Sequence, residues 1–187
     1  LAAAAGDWAV ITGASTGIGR QLALEAAREG YNVVLTARRA PLLQKLAAEI
    51  EAEHAVATRV CAGCLTDAKF VERLRDAAPG SVSLLVTNAG CGMEGDAVAA
   101  PRARVRSMLE LNVLSTTQVC QLFASDFVRD RRGRVLLVSS LTSAVPMPGG
   151  AAYAASKSYV RSFAGALRDE VRPAGVSVTC VCPGATT

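Results

Sequence analysis

The sequence predicts an α/β protein, a doubly wound parallel sheet with helices on both faces, and three observations carry that reading. Short, nearly continuous apolar runs alternate with longer stretches of helical composition along the whole chain, the pattern of strands buried on both faces. A glycine-rich turn, Gly13-Ala-Ser-Thr-Gly17-Ile-Gly19, stands between the first apolar run and the first helical stretch. Further turn signals, Asn88-Ala-Gly90 and Pro183-Gly184, follow later runs, at the strand ends where open α/β sheets put their ligands. Right-handed crossovers give such a sheet the order 3-2-1-4-5-6.

Trp8-Ala-Val-Ile-Thr12 reads as the first strand, and Arg20 to Glu29 as the helix after the glycine turn. In that context a phosphate group can reach backbone N–H groups at a helix start, because no Cβ intervenes. The alternative is glycines that serve only a tight turn. Gly30 closes the helix, and Tyr31 to Ala37 is the second strand. Pro41 to His54 is amphipathic, with the proline in a first helical turn. Val56 to Cys61 is the third strand, and Asp67 suits the N-cap of a helix running to Ala78. Ser83 to Thr87 is the fourth strand. Between Pro101 and Arg132 two helices meet near Leu111-Asn112-Val113, where Asn112 is polar in an apolar surround and needs partners if buried. Arg134 to Ser140 is the fifth strand, and a loop with two prolines and two glycines runs from Leu141 to Gly150. The helix through Tyr153 continues to about Arg172, stopped by Pro173 and Gly175, before a sixth strand from Val176 to Val181.

The 187 residues suit one domain, 7–187, behind a tail of residues 1–6. Half the residues are hydrophobic (51%) and few are aromatic (4%), so the core should be mainly Ala, Val and Leu. No apolar run reaches the roughly 18 residues that span a bilayer, which argues against a transmembrane segment. The net charge of +4 comes from scattered arginines, and the cluster Arg129, Arg131, Arg132, Arg134 reads as a solvated helix end rather than a nucleic-acid surface. The six cysteines are expected to be reduced thiols of the core type. Cys61-Ala-Gly-Cys64 and Cys180-x-Cys182 have suggestive spacings, but no second ligand pair accompanies them and the only histidine, His54, closes a helical stretch, so no metal site is expected. The first residue is Leu1, either the stub of a removed targeting segment or a cut in the chain. Cytoplasm is the default compartment, and an organelle the alternative if a targeting peptide precedes Leu1. Thr187 follows closely on a strand and a Pro-Gly turn, so the chain is expected to end before its fold does.

Two constellations carry chemistry. About 20 residues beyond a glycine turn of this kind, NAD-binding sheets place an acid against the ribose 2′-hydroxyl. Here the position reads Ala37-Arg38-Arg39. A carboxylate repels a 2′-phosphate and a guanidinium forks onto it, so the sequence leans to NADP(H) over NAD(H). Arg38 is the first choice and Arg39 the second, surface arginines without a ligand being the alternative. The other constellation is Tyr153-Ala-Ala-Ser-Lys157 with Ser140 upstream. At i and i+4 the phenol and the ammonium share a helix face. An ordinary tyrosine titrates near ~10, and a fixed cation with a positively charged cofactor ring would pull that value down and make a proton donor. The Ser140 hydroxyl could hold a substrate carbonyl oxygen. Alone, a five-residue coincidence of this kind is common.

With these residues placed, the chain resembles the short-chain dehydrogenase/reductase family along nearly its whole length. Thr12-Gly-x-x-x-Gly17-x-Gly19, Asn88-Ala-Gly90, Asn112, Ser140, Tyr153-x-x-x-Lys157 and Pro183-Gly184 stand in that family's order and approximate spacing. The resemblance implies a Rossmann fold and reversible hydride transfer between NAD(P)H and a carbonyl or alcohol. It implies Tyr153 as acid/base, Lys157 on the nicotinamide ribose, Ser140 on the substrate oxygen and Asn112 anchoring a water. It assigns to the cofactor Gly13, Ser15, Thr16, Gly17, Ile18, Gly19, Arg38, Arg39, Leu65, Asn88, Ala89, Gly90, Tyr153, Lys157, Pro183 and Gly184. It further implies a homodimer or homotetramer through the Asn112 and Tyr153 helices. Two departures stand out: Cys64 occupies the place of an adenine-side aspartate, and the family's substrate-covering loop, helix and last strand do not follow Pro183-Gly184. The expected function is NADPH-dependent reduction of a lipophilic ketone, of the 3-oxoacyl, steroid-like or small-ketone type. The alternative is a catalytically silent dinucleotide-binding subunit kept for assembly.

Overall fold

The computed structural model describes residues 3–184, so the readings of Leu1 and Thr187 lie outside the described residues. Six strands form one parallel sheet: β1 (Trp8–Thr12), β2 (Asn32–Ala37), β3 (Thr58–Ala62), β4 (Val82–Thr87), β5 (Gly133–Val138) and β6 (Val176–Val181). Their order is β3-β2-β1-β4-β5-β6, as the sequence predicts, with every pairing parallel. The central β1 is buried at all five residues, and the edge strand β6 exposes Ser177 and Thr179. Connecting helices are α1 (Gly17–Arg28), α2 (Ala40–Glu53), α3 (Ala68–Arg75), α4 (Arg102–Leu109), α5 (Thr116–Arg129) and α6 (Ala151–Val171). No helix among the described residues is long and apolar enough to cross a membrane.

Strand alternation sends odd and even residues to opposite faces and so makes two cores. On one face α1 and α2 press Ala23, Ala26, Ala27, Leu43, Leu46 and Ile50 onto Ala9, Ile11, Val33 and Leu35. The buried residues of α1 are alanines and Gly19, which lets its backbone lie close to the sheet. On the other face α3, α5 and α6 bury Phe70, Phe123, Phe127 and Val160 against Val10, Val34, Leu85, Val135 and Leu137.

Several boundaries differ from the sequence reading. α1 starts at Gly17 instead of Arg20, because the last glycines of the turn are already helical. Asp67 does cap α3, accepting from the Lys69 N–H at 2.9 Å. The two helices expected to meet near Asn112 are one continuous rod, α4 passing into α5 through a π-helical segment, Glu110–Ser115. β5 ends at Val138, so Ser139 and Ser140 lie beyond the ladder, and Ser140 caps a 3₁₀ turn at Leu141–Ala144. The arginine cluster is only partly solvated: Arg129 pairs with Asp126 and Asp130, and Arg132 pairs with Asp7, whose side chain is 5% exposed.

Asp7 and Thr12 tie β1 to β4 at opposite ends. At the amino end the Asp7 carboxylate accepts from Ser83 Oγ and Arg132. At the carboxyl end the Thr12 hydroxyl donates to the Val86 carbonyl (3.2 Å) and accepts from the N–H groups of Asn88 (2.9 Å) and Ala89 (3.0 Å). Thr12 is 1% exposed, so water cannot replace these bonds. Replacing Thr12 with the isosteric valine leaves two buried N–H donors and a carbonyl short of a partner. The Thr12→Val protein should lose about 1–3 kcal/mol of unfolding free energy; an unchanged denaturation midpoint would show that Thr12 is not the clamp.

Candidate active site

A cleft of about 690 Å³ opens over the carboxyl ends of β1, β2 and β4, where the strand order reverses. Its walls bring together Gly13, Ser15, Thr16 and Ile18 from the glycine turn, Arg38 and Arg39 after β2, Leu65 after β3, and Asn88, Ala89 and Gly90 after β4. These residues are distant in sequence and were expected to share one ligand.

The glycines act in two ways. Gly13 has φ +68°, and a Cβ there would lie 2.7 Å from Asn88 Nδ2 and 2.9 Å from Ala89 Cα, so only glycine lets the two turns touch. Gly17 has φ +58° and faces open space, beside the first N–H groups of α1, the kind of surface on which phosphate oxygens settle. The Asn88 amide is turned inward, donating to the carbonyls of Thr12 (3.1 Å) and Gly13 (3.3 Å), so it braces the turn.

The two arginines separate in role. Arg39 Nη2 donates to both Ser15 Oγ and Thr16 Oγ1 at 2.9 Å, holding these hydroxyls at the cleft rim. Arg38 also lines the cleft, with no such hydrogen bond among the described residues. After β3, Leu65 is buried in the lining, and the exposed Cys64 places its Sγ 3.1 Å from Thr66 Oγ1. Cys64, Cys91 and Cys182 are exposed, contrary to the expectation of core thiols. Among the six, only Cys120 is fully buried, with burial pushing its thiol up to about 12.

Asn112, Ser140, Tyr153 and Lys157 do not line this cleft; Asn112 and Lys157 stand directly behind Gly90, which does. A Cβ on Gly90 would come within 3.1 Å of Asn112 Oδ1 and 3.4 Å of Lys157 Nζ. The Asn112 side chain accepts from the Cys91 N–H (2.9 Å) and donates to the Cys91 carbonyl (3.0 Å) and to Ser156 Oγ (3.1 Å). Its amide is therefore committed to joining the loop after β4 to α6. Lys157 is 7% exposed and donates to the Val138 carbonyl at 3.0 Å. Burial pulls its pKa below the usual lysine value, and the neighbouring Cys180 and Cys91 thiols oppose that pull.

Tyr153, half-buried one turn before Lys157, has its ring centroid 6.0 Å from the ammonium. Ser140 is carried beside α6 by its neighbours. Ser139 Oγ donates to the Lys157 carbonyl at 2.8 Å, and Ser158 Oγ to the Ser143 carbonyl at 3.0 Å. The Ser140 oxygen accepts from both Thr142 N–H (3.2 Å) and Thr142 Oγ1 (2.9 Å). With both lone pairs engaged, its own O–H is left as a donor. Pro183 is tied to the same turn through its carbonyl, which accepts from the Leu141 N–H at 2.9 Å. Among the described residues, no hydrogen bond joins Pro183 or Gly184 to the glycine turn. Thr12, Ser139, Ser156 and Thr142, which hold the site together, are not among the residues that sequence reading singles out for a site. Small hydroxyl residues are common, and their partners are carbonyls that a sequence does not place. Arg104 and Ser107, which also line the cleft, are likewise brought there by the direction of α4.

Comparisons with known proteins agree with this geometry. A family profile described as short chain dehydrogenase matches residues 7–187. An uncharacterised oxidoreductase of Myxococcus xanthus is 38% identical over 178 residues, covering 94% of this chain and 70% of that protein. A very-long-chain 3-oxoacyl-CoA reductase of Aspergillus clavatus is 36% identical over 181 residues, covering 94% of this chain and 52% of that protein, so the chain spans about half the length of that relative. Among solved structures, a short-chain dehydrogenase from Sphingobium yanoikuyae in complex with NADPH superposes with a TM-score of 0.92 at 30% identity, covering 97% of this chain and 72% of that one. With a Rossmann-type sheet, a glycine turn at its switch point and a profile match over nearly all of its length, the chain belongs to the short-chain dehydrogenase/reductase family.

Proposed function

We propose that this chain forms the nucleotide-binding and catalytic part of an NADPH-dependent reductase of lipophilic ketones, with 3-oxoacyl thioesters the favoured class. The observation that carries the reading is the buried Lys157 ammonium, held between Val138 and Gly90 and 6.0 Å from the Tyr153 ring, behind the wall of a cleft that Gly90 and Arg38 both line. The choice of thioester draws on the Aspergillus relative's name.

The residues fit a nicotinamide dinucleotide phosphate. Gly17 leaves a cradle that a side chain would fill, and the Lys157 ammonium has three donors of which the Val138 carbonyl takes one. Arg38, without a hydrogen-bond partner among the described residues, would fork onto the 2′-phosphate, with Ser15 and Thr16 presented by Arg39. Leu65 would cover one face of the adenine. Bound NADPH would supply the hydride.

The rest of the chemistry falls to the chain's own side chains. The Tyr153 phenol gives its proton to the substrate oxygen as that oxygen gains charge. The Lys157 ammonium, poorly hydrated and therefore electrostatically strong, favours the phenolate left behind. Ser140 donates its O–H to the same oxygen, aimed by Thr142. The Asn112 side chain, spent on Cys91 and Ser156, holds the loop after β4 at a fixed distance from α6.

A second copy of the chain would pack on the exposed face of the rod and α6. Leu114 is 58% exposed and Tyr159 40%, the Tyr159 ring stacks on Phe163 with centroids 6.0 Å apart, and its hydroxyl bonds Thr117 at 2.9 Å. Such an apolar stripe between two packed helices suits a homodimer or homotetramer.

Tyr153→Phe should lower kcat/KM for NADPH-dependent ketone reduction by about 10²–10⁴-fold with NADPH binding retained. A variant as active as the parent would remove the tyrosine from the reaction. Arg38→Ala should weaken NADPH binding roughly ten- to hundredfold, the effect of a charge-assisted bond of about 1.5–3 kcal/mol, and leave NADH binding unaltered. Equal losses for both nucleotides would mean that Arg38 does not read the phosphate. Leu114→Arg should convert the oligomer to a folded monomer in sedimentation velocity, and an unchanged assembly would place the interface elsewhere.

A further inference from the structure

The Cys180-x-Cys182 pair is a feature that the proposed reaction does not use. Cys180 is the fifth residue of β6, half-buried against the α6-side core. Cys182 is the next residue on that same face, one step past the strand. It is exposed, with its Sγ 3.8 Å from Ser143 Oγ. Two residues apart at the end of one strand, the two cysteines are sequence neighbours on alternate positions, and Cys182 adds the contact to the Ser143 turn. Both sulfurs therefore sit where β6, α6 and the turn after Ser140 converge.

The backbone on either side of Cys182 seats Ser140. The Val181 carbonyl accepts from the Ser139 N–H at 2.8 Å, and the Pro183 carbonyl accepts from the Leu141 N–H at 2.9 Å. These bonds flank Ser140 on both sides, and their acceptors flank Cys182 on both sides. Two residues of strand span about 6.6 Å, whereas disulfides favour a Cα separation of about 5.5–6 Å and seldom exceed about 6.8 Å. A bond from Cys180 to Cys182 shortens that span from about 6.6 Å toward the favoured separation and so pulls on the Val181 carbonyl, which lies between the two thiols, and on the Pro183 residue next to Cys182.

We infer that Cys180 and Cys182 are a thiol oxidation site, closing a reversible disulfide under a peroxide-class oxidant and thereby unseating Ser140. Cys182 reacts first, because it is exposed, whereas burial pushes the Cys180 thiol up to about 11. The Cys182 thiolate attacks a peroxide oxygen, an S–O bond forms, the O–O bond breaks and one water leaves after protonation. The Cys180 thiolate then attacks Cys182 Sγ, the S–S bond forms and the S–O bond breaks to give a second water. In sum, two thiols lose two hydrogens and one hydrogen peroxide becomes two waters. A contracted disulfide is strained and so is readily reduced again.

The disulfide itself stands apart from the reductase reading, and only its effect on turnover rests on that reading. Protein treated with stoichiometric hydrogen peroxide, blocked with iodoacetamide, digested and weighed should yield a peptide holding both cysteines that has lost two hydrogens and taken no label. Dithiothreitol should restore both thiols, and Cys182→Ser should abolish the change. Labelling of both thiols, or Cys182 linked elsewhere or driven to sulfonic acid, would overturn the site. NADPH-dependent ketone reduction should fall by an order of magnitude or more on oxidation and recover with dithiothreitol, while Cys180→Ser and Cys182→Ser should both resist this reversible loss. A disulfide formed without any change in turnover would overturn the link to Ser140. Absence of ketone reduction in untreated protein would count against the reductase reading alone, since the mass measurement decides the disulfide by itself.

Discussion

The contact on which the site depends is the meeting of two backbones, the glycine turn after β1 and the Asn88-Ala89 turn after β4. A parallel sheet that winds outward in both directions from its middle leaves a gap there, since neither chain crosses over it. The gap is held at a fixed width from inside: Thr12 binds the N–H groups of Asn88 and Ala89, Asn88 binds the carbonyls of Thr12 and Gly13, and no Cβ at Gly13 stands between them. The floor of the cleft is thereby main chain. Because the turn is anchored below, α1 begins at Gly17 with its N–H groups facing the opening, and Arg39 can reach Ser15 and Thr16 across the rim.

The region behind Gly90 is organised by a charge that the fold keeps from water. An isolated buried ammonium is costly, and Lys157 is accommodated by the Val138 carbonyl at the end of β5. That bond fixes α6 relative to the sheet, and a set of small hydroxyls continues the job. Ser139, Ser156 and Ser158 each bond a main-chain carbonyl in or beside α6, spending groups that would otherwise compete with helix geometry. Asn112 closes the arrangement from the rod. Its position in a π-helical segment, a local widening found often at functional positions, accompanies the reach of its amide to both Cys91 and Ser156.

Much of this was legible in the sequence, and for identifiable reasons. The six apolar runs are separated by glycine and proline punctuation, so strand number and order follow from pattern and handedness alone. Of the three turn glycines, Gly13 and Gly19 mark a close approach, and Gly17 serves a left-handed turn that opens onto free space. Tyr153 and Lys157 share a face by helical arithmetic. Less legible were the ends of elements: the start of α1 at Gly17, the end of β5 before Ser139, and the unbroken rod through Asn112. Each depends on which carbonyl an N–H finds, a choice among near-equal local alternatives that packing decides. The cysteines mislead for the same reason, since apolar neighbours in sequence do not establish burial; Cys91 and Cys182 lie beyond strand ends and are exposed.

The order of residues along the chain therefore determined the layered α/β architecture, the strand order and the candidate set of glycines, arginines, serine, tyrosine and lysine, because periodicity and turn chemistry are local properties. Only the tertiary structure decided how those groups divide their labour: Arg39 holding the hydroxyls of Ser15 and Thr16, Asn112 bracing the loop after β4 to α6, and Ser139 tying the Ser140 turn to Lys157. Such roles follow from distances of a few ångströms between segments far apart in sequence, and those distances exist only once the sheet has brought its strand ends together.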